Sequence, residues 1–352
     1  MIRVHPIYAF KWYSEIMKTR VTIKDIARQL NLSHATVSRA LNRSDDPFIS
    51  AATRERVRKT AEEMNYQPNQ AARALVTGKT GIITMWLWSE GRQGSYHARV
   101  SQFMQAQLEP EPYQLIIDLM SYKSLGFGKE KLMSPWAVDG IIAHEADPVL
   151  RKLNGDSATF PIPIVSMGAY QLMYTHDLVG VDIRPGSDAA MDHLILGGRK
   201  RIAYLTDDLP HRVTDARYVA YTVKMEQAGF PTEFIPLENS LRAVVRTKMR
   251  EYLKSHQPPD AIFCHNDDMA IAAYRALCDL SIRCPDDVAL VGCDGIEDTE
   301  YLETPITTIV QPMERMCELA WEYLSRRMKD PSTPIQQTWL PAKLEIRRSS
   351  MS

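Results

Sequence analysis

Residues 21–42, VTIKDIARQLNLSHATVSRALN, carry the pattern that most constrains what this chain can fold into. Thr22 is a good N-cap, and four apolar residues then follow at the i, i+3, i+4 and i+7 spacing of one helix face: Ile23, Ile26, Ala27 and Leu30. Asn31 tolerates the left-handed backbone of a sharp turn, and Ser33 can cap a new helix at once. The pattern therefore predicts two short helices joined by a tight turn.

The second helix has an apolar side and an outward side. Its inward residues are Val37, Ala40 and Leu41, so the outward side carries His34, Ala35, Ser38 and Arg39. Residues 50–66 predict a third helix with Ser50 as N-cap, which would close a small core. Any two-helix corner of a helical protein could give the same periodicity. In a helix-turn-helix protein, however, the N-terminal end of the second helix enters the major groove of DNA.

The segment after the third helix is short and interrupted by proline. Pro68 ends the preceding helix, and Asn69 can cap a new one that reaches Val76. Two helical turns are too few to be stable alone in water. We expect this segment to fold only against a partner.

These residues resemble the LacI family of bacterial transcription regulators. The family signature, close to V-T-I-x-D-[VI]-A-x-x-[AL]-x-[VL]-S-x-x-T-V-S-R-x-L-N, is matched at nearly every fixed position, and the following Y-x-P-N-x-x-A-R-x-L matches residues 66–75. The resemblance implies that operator DNA is bound by Thr22, Ser33, His34, Ala35, Thr36, Ser38, Arg39, Asn42, Asn69, Ala72, Arg73 and Leu75.

The resemblance also implies individual roles. His34, Ala35 and Arg39 occupy the base-reading positions, and the guanidinium of Arg39 suits guanine O6 and N7, a contact worth about 1–3 kcal/mol of discrimination. Ala35 offers only a methyl group, so the operator sequence stays open. Leu75 corresponds to the hinge-helix leucine that is pushed between base pairs of the minor groove. The alternative for Leu75 is packing against its own dimer mate.

Charge is divided unevenly along the chain. Residues 17–80 carry a net charge of +6 and residues 1–16 of +1, so residues 81–352 carry −8 within a total of −1. A basic head on an acidic body is expected when only the head meets phosphate. The extension at residues 1–19 is expected to be disordered, and Met17 is a candidate start of translation because the family pattern begins just after it.

Composition and cysteine usage indicate a cytoplasmic globular protein. Of the 352 residues 45% are hydrophobic, but no apolar run reaches the eighteen or so of a membrane helix, and residues 1–16 lack the features of a signal peptide. The five cysteines show no metal-binding spacing, which favours reduced thiols. We expect no membrane association, no cofactor and no bound metal.

Beyond Gly81, short apolar runs alternate with helical patterns, which predicts parallel sheets covered by helices. Here too the chain resembles the LacI family, as far as about residue 350. We therefore expect an all-α helix-turn-helix DNA-binding head followed by an α/β, periplasmic-binding-protein-like core of two parallel-sheet subdomains. The expected parts are residues 1–19 (extension), 20–67 (helix-turn-helix), 68–80 (hinge helix and linker) and 81–350 (effector-binding and dimerisation core).

Ligands in open α/β sheets sit beyond the carboxyl ends of the strands. The resemblance places the effector at Arg217, Asn266 and Asp294, and the last two each end a predicted strand. A guanidinium, an amide and a carboxylate can each take two hydroxyl groups, as a sugar would need. For Asp294 the alternative is a cap on the next helix.

Several positions depart from the family pattern. The family's usual residues after the first core strand are replaced by Gly94, Ser95 and Tyr96. Many members have Asp-Arg where this chain has Gly168 and Ala169, and a histidine where it has Gly198. Effector contacts on this remodelled wall are expected from Trp86, Ser95 and Tyr96. Trp86 or Trp88 could stack on a sugar face, or could simply fill a core.

The sequence thus predicts a homodimeric, sequence-specific DNA-binding regulator. We expect a repressor that binds a palindromic operator under the control of a small molecule, a sugar or sugar derivative. A regulator controlled by a protein partner or by no effector is the alternative, and a solute-binding protein is less favoured because it would lack the head.

No nucleophile, base or metal constellation indicates an enzyme, so no catalytic residue is expected. The run His265–Asp268 resembles a metal cluster, but Asn266 and Asp267 match a non-catalytic family motif. The absence of a leucine heptad after Ser350 favours a dimer over a tetramer.

Overall fold

A computed structural model describes most of the chain and divides it into two units, Met1–Thr80 and Gly81–Ser352. The described residues are 21–42, 46–67, 74, 78–88, 94–121, 138–154, 162–169, 176–207 and 213–351. The N-terminal extension and nearly all of the segment predicted as a hinge helix lie outside them.

The first unit contains three described helices: α1 (Ile23–Leu30), α2 (His34–Asn42) and α3 (Ala51–Glu63). Their core is formed by Ile26, Val37 and Val57, one from each helix, all without exposed surface. The predicted apolar stripes therefore meet in one small core. The third helix ends at Glu63, three residues before the predicted end, because Asn65 adopts a left-handed conformation with φ of 51°.

The second unit alternates strands and helices. Its strands are β1 (Ile82–Trp88), β2 (Gln114–Met120), β3 (Gly140–His144), β4 (Ile164–Gly168), β5 (Asp177–Asp182), β6 (Ile202–Asp207), β7 (Glu233–Leu237), β8 (Ala261–Cys264), β9 (Ala289–Asp294), β10 (Thr307–Val310), β11 (Gln337–Pro341) and β12 (Lys343–Glu345). Its α-helices are α4 (Ser95–Leu108), α5 (Asp147–Asn154), α6 (Arg184–Leu196), α7 (Ala216–Gln227), α8 (Arg242–Ser255), α9 (Asp267–Asp279) and α10 (Met313–Lys329). Two short 3₁₀ helices lie at Glu297–Thr299 and Arg348–Ser350.

The strands form two six-stranded sheets, each the centre of one subdomain. The first has the order β11-β5-β4-β3-β1-β2 and is parallel throughout its described pairings. The second has the order β12-β10-β9-β8-β6-β7, in which β12 alone pairs antiparallel, with β10. The predicted fold class, a helical head and an α/β core of two parallel-sheet subdomains, is confirmed.

The chain passes between the two subdomains three times. Helix α6 leads from β5 in the first sheet to β6 in the second, and α10 leads from β10 back to β11 in the first. Ala342 alone separates β11 from β12. Three crossovers of this kind act as a hinge: they hold the subdomains together at one edge of the cleft, and the opposite edge can open and close.

Most strands are buried along their length, as the apolar runs predicted. Strands β3, β4, β6, β8 and β9 contain only buried residues, because helices cover both faces of these sheets. Strand β2 lies at a sheet edge and is largely exposed. No helix among the described residues is long and apolar enough to cross a membrane.

Candidate DNA interface and ligand cleft

The turn between α1 and α2 is built as the sequence predicts. Thr22 caps α1: its backbone N–H and its hydroxyl both donate to the Asp25 carboxylate, at 2.9 and 2.6 Å. Asn31 takes the left-handed conformation, with φ of 52°. Ser33 caps α2, since its hydroxyl accepts from the Thr36 N–H at 3.0 Å. The N-terminal end of α2 is therefore fixed in direction.

The residues proposed to bind DNA lie on the accessible side of the head. Thr22, Ser33, His34, Ala35, Arg39 and Asn42 are exposed, and Thr36 and Ser38 are half-buried. The amide of Asn42 donates to the Ser38 carbonyl at 2.9 Å, which ties the last turn of α2 together. Asn69, Ala72, Arg73 and Leu75 lie outside the described residues, so the hinge contacts stay predictions.

Arg39 is held from one side. Its Nε donates to Asp46 Oδ2 at 2.9 Å, and its guanidinium lies 5.5 Å from the centre of the Phe48 ring. Asp46 is buried, with only 2% of its side chain exposed, whereas 44% of the Arg39 side chain is accessible. Asp46 thus restricts the side chain of Arg39 without covering it, so the guanidinium is exposed in a narrow range of orientations.

The strand order of the second unit places a candidate cleft at the carboxyl ends of its strands. In each sheet the first strand of the subdomain lies between its second and third, in the orders β2-β1-β3 and β7-β6-β8. The chain leaves neighbouring strands in opposite directions there, which opens a crevice between β1 and β3 and another between β6 and β8. The segments after these strands carry the residues of the candidate ligand site.

Arg217 is anchored on the wall formed by the second subdomain. Its Nε and Nη2 donate to the two carboxylate oxygens of Asp215, at 2.9 and 2.8 Å, and its Nη1 donates to the His265 carbonyl at 2.9 Å. Both side chains of the ion pair are almost fully buried, 5% exposed for Arg217 and 6% for Asp215. The guanidinium is therefore rigidly positioned beside the end of β8.

Asn266 and Asp294 end or follow neighbouring strands of the same sheet. Asn266 is half-buried, and its side-chain oxygen accepts from the Met269 N–H at 2.9 Å, so it caps α9. Asp294 ends β9 with φ of 133°, a conformation unusual for any residue but glycine. The alternative that Asp294 caps the following helix is wrong, because the N-cap of that 3₁₀ helix is Ile296.

Asp294 belongs to a chain of hydrogen bonds that crosses the cleft. Gln311 Nε2 donates to Asp294 Oδ1 at 2.9 Å, Tyr96 Oη donates to Gln311 Oε1 at 3.2 Å, and His144 Nε2 lies 3.4 Å from Tyr96 Oη. Burial, together with the carboxylate of Asp267, raises the pKa of Asp294 well above its ordinary value. Asp294 therefore stays protonated to a higher pH than an exposed aspartate.

Ser95 joins the subdomains instead of pointing freely into the cleft. Its N–H donates to Asp268 Oδ2 at 3.1 Å, and its hydroxyl accepts from Arg242 Nη2 at 3.0 Å. Gly94 permits this approach, since a Cβ there would lie 2.6 Å from Asp268 Oδ2. These contacts hold the start of α4 against α8 and α9, and opening of the cleft must break them.

The Trp86 side chain lies in a core, not in the cleft as the sequence predicted. It is 2% exposed and packs with Met120, Ile141 and Ala143. One face of β1 packs against α4 and the other, which carries Trp86, packs against Val149 and Leu150 of α5, so the indole has no free face for a ligand. The prediction that Trp86 contacts the effector is wrong in this conformation; the alternative, that it fills a core, is confirmed.

A group that the sequence did not indicate lies across from Arg217. One nitrogen or oxygen from each of three residues lies within 4.8 Å of the others: His97 on α4, His144 at the end of β3, and Glu145 directly after β3. Burial lowers the pKa of His144 to about 4. Burial alone would raise the pKa of Glu145, but the imidazoles of His97 and His144 and the charge of Arg217 bring it down to about 2. A charged carboxylate thus lies beside the buried, neutral imidazole of His144.

Comparisons with known proteins give a family match in each of the two units. Residues 22–69 match the model of the bacterial regulatory proteins of the lacI family, and residues 191–350 match that of a periplasmic binding protein-like domain. The repressor PurR of Vibrio vulnificus is 30% identical over 320 residues, 88% of this chain and 92% of that protein. The chain belongs to the LacI family. It is a DNA-binding transcription regulator.

Two further proteins of the family extend the comparison. The ribose operon repressor of Escherichia coli is 28% identical over 335 residues, 94% of this chain and 99% of that protein. A lac repressor dimer bound to operator and the anti-inducer ONPF has the same fold, with a TM-score of 0.78, 19% identity and coverage of 95% of this chain and 100% of that chain. The likeness spans both the head and the core.

The sequence contained a signal for the histidine and glutamate group. His144 ends the apolar run VDGIIAH and Glu145 directly follows it, and His97 follows the first core strand by a short connection. The carboxyl ends of two adjacent parallel strands lie at the same edge of a sheet. The adjacency of β1 and β3, which the linear sequence does not display, is what brings these residues together.

Proposed function

We propose that the protein represses transcription by binding a palindromic operator as a homodimer, and that a small polyhydroxylated ligand in the cleft of the core controls this binding. The observation that carries the proposal is the exposed, capped helix α2 in a head joined to a cleft-bearing core. The relatives described above are named repressors, and one of them is named for the ribose operon. A regulator of this kind works in the cytoplasm, where the chromosome lies.

The DNA-binding part of the proposal assigns α2 to the major groove. Its exposed residues at the N-terminal end, His34 and Ala35, lie on the side that would meet base edges, and Arg39 would donate to a guanine. In a symmetric dimer two such helices lie about one turn of DNA apart, near 34 Å. The proposed hinge contacts, from Asn69 to Leu75, would bend the duplex at the centre of the site.

The ligand-binding part assigns the cleft to Arg217, Asn266 and Asp294 on one wall and Tyr96 on the other. These groups supply cationic, amide, carboxyl and phenolic hydrogen-bond partners at the carboxyl ends of the strands. Such a set suits several hydroxyl groups of one small molecule. The protein is then a binding protein in its core and not an enzyme.

Control of DNA binding follows from the closure of the cleft. The described contacts between Ser95 and Asp268, and between Tyr96 and Gln311, exist only when the subdomains are close. A ligand that binds the closed and open cores with different affinity shifts the balance between them. The hinge segments of the dimer are then brought together or held apart.

Two matched arginine variants test DNA recognition. Arg39→Ala should lose preference at one operator base pair, a change of about 1–3 kcal/mol, because the guanidinium of α2 reads a base. Arg28→Ala removes the same charge from α1, where 81% of the side chain is exposed, and should leave the sequence preference unchanged. Binding to randomised operators measures both. Equal loss by Arg39→Ala on every sequence would make Arg39 a phosphate contact only.

A thermal-shift screen with sugars, sugar derivatives and nucleosides tests the ligand. A ligand that raises the melting temperature and alters operator affinity supports the proposal, and Asp294→Asn should lose both responses while still binding operator. Asp188→Asn, on α6 in an ion pair with Arg184, is the control and should respond like the unchanged protein. If no compound shifts the melting temperature, control by a protein partner or by no effector is favoured instead.

A further inference from the structure

His97, His144 and Glu145 form a compact group on the cleft wall of the first subdomain. Their ligand-type atoms lie within 4.8 Å of one another, and His97 Nε2 is 3.8 Å from Glu145 Oε2. A tetrahedral ion with bonds of about 2.0–2.1 Å holds its ligand atoms about 3.4 Å apart. Side-chain movements of about an ångström would therefore bring the three atoms onto one metal ion.

Three nitrogen atoms of this group are buried without a hydrogen-bond partner among the described residues. They are His97 Nδ1, His97 Nε2 and His144 Nδ1. The side chain of His144 has no exposed surface, and that of His97 is 18% exposed. A buried polar atom without a partner is destabilising, and a bound ion would give one nitrogen of each ring a partner.

The backbone around Glu145 is shaped to hold its side chain in place. Glu145 has φ of 51°, a strained value for a residue with a Cβ. Gly168, at the end of the neighbouring strand β4, has φ of 129°, and a Cβ there would lie 2.7 Å from Glu145 Cγ. Gly168 is one of the positions where this chain departs from its family pattern. The departure makes room for the carboxylate beside the two imidazoles.

Hydrogen bonds outside the group orient His144. Its Nε2 lies 3.4 Å from Tyr96 Oη, which in turn donates to Gln311 Oε1 at 3.2 Å. Because the Tyr96 hydroxyl donates to Gln311, its oxygen accepts a hydrogen bond from the Nε2–H of His144, which leaves the lone pair of His144 on Nδ1. Metal-binding histidines are commonly fixed in this way through their second nitrogen.

We propose that His97, His144 and Glu145 bind one divalent transition-metal ion, with Zn²⁺ as the best fit. Two imidazoles and one carboxylate are the ligands of zinc sites that keep one position open. Imidazole favours zinc, copper, iron and nickel over magnesium and calcium, which prefer oxygen ligands throughout. The Glu145 side chain, 13% exposed, and His97 face the cleft, so the open position is available to an oxygen atom of a cleft ligand.

The direct test is metal binding by the full-length protein purified without a histidine tag. We expect isothermal titration with Zn²⁺ to show one ion per chain. His97→Gln, His144→Gln and Glu145→Gln should each weaken binding at least about 100-fold, and Tyr96→Phe by about 10–100-fold. Co²⁺ in place of Zn²⁺ should give visible absorption of a site with nitrogen and oxygen ligands and no thiolate band.

Two control variants separate this site from surface binding. His256→Gln removes an exposed histidine on the same unit, and Cys278→Ser removes an exposed thiol; both should bind Zn²⁺ like the unchanged protein. Thermal melting checks that each variant is folded. If His144→Gln unfolds, Glu145→Gln, which keeps the side-chain shape, still tests whether this group binds the metal. Absence of saturable binding, a thiolate band with Co²⁺, or unchanged affinity in the folded variants of the three residues would overturn the proposal.

Discussion

Replacing Arg217 by alanine should destabilise the core by about 3–5 kcal/mol, since it breaks a buried ion pair from one side. The guanidinium contacts both carboxylate oxygens of Asp215 at 2.8–2.9 Å, and the two side chains are 5% and 6% exposed. Removal of the cation leaves the buried carboxylate of Asp215 without its bidentate partner. Loss of the bond from Nη1 to the His265 carbonyl adds to the cost.

Urea unfolding of the full-length protein, followed by tryptophan fluorescence, measures this free energy. Arg283→Ala is the matched control, because Arg283 pairs with Asp287 at 2.6 Å while 68% of the arginine and 38% of the aspartate side chain are exposed. An exposed pair contributes about 0–1 kcal/mol, so the control should unfold almost like the unchanged protein.

A double variant isolates the origin of the effect. Asp215→Asn combined with Arg217→Ala removes both charges, so it should cost less than Arg217→Ala alone if the unpaired carboxylate is the main penalty. Arg217→Ala should also abolish the ligand response. The reasoning is refuted if Arg217→Ala costs no more than the exposed control, or if the double variant is the less stable of the two.

Three further predictions concern the head, the hinge and the pH dependence. Ser33→Ala should destabilise α2 by about 1 kcal/mol through loss of the cap on Thr36, seen as faster hydrogen exchange at residues 34–37; unchanged exchange would contradict this. Leu75→Ala should reduce operator bending. An unchanged bend angle in an energy-transfer assay would refute the insertion of Leu75 between base pairs. His176 is buried against Ser166, and burial lowers its pKa to about 4. The contribution of neutral His176 to the free energy of unfolding is therefore complete above pH 6.5 and is lost as the pH falls towards 4. About 2 kcal/mol is lost by pH 5, so His176→Gln should flatten the acid side of a plot of unfolding free energy against pH.

The head could be predicted closely because its determinants are local. The N-caps Thr22 and Ser33, the left-handed Asn31 and the apolar stripes act within a few residues of one another. Hydrophobic periodicity and cap chemistry contain this information directly. The part of the core that repeats strand and helix could be predicted for the same reason.

The ligand cleft could be predicted only in part, because its geometry depends on which strands are neighbours. Trp86 looks like a ligand contact in the sequence, yet helices cover both faces of β1, α4 on one side and α5 on the side of Trp86. The group of His97, His144 and Glu145 was missed because α4 and the end of β3 are separated by more than thirty residues of chain. Strand order is set by packing of the whole sheet, which no local pattern shows.

Selection of bound sequences from random DNA by the full-length protein tests the central claim most directly. We expect enrichment of a two-fold symmetric site whose half-sites are spaced by about one turn of the duplex, with one position in each half that loses its preference in Arg39→Ala. Enrichment of no sequence, or of a site without two-fold symmetry, would contradict a dimeric operator-binding regulator.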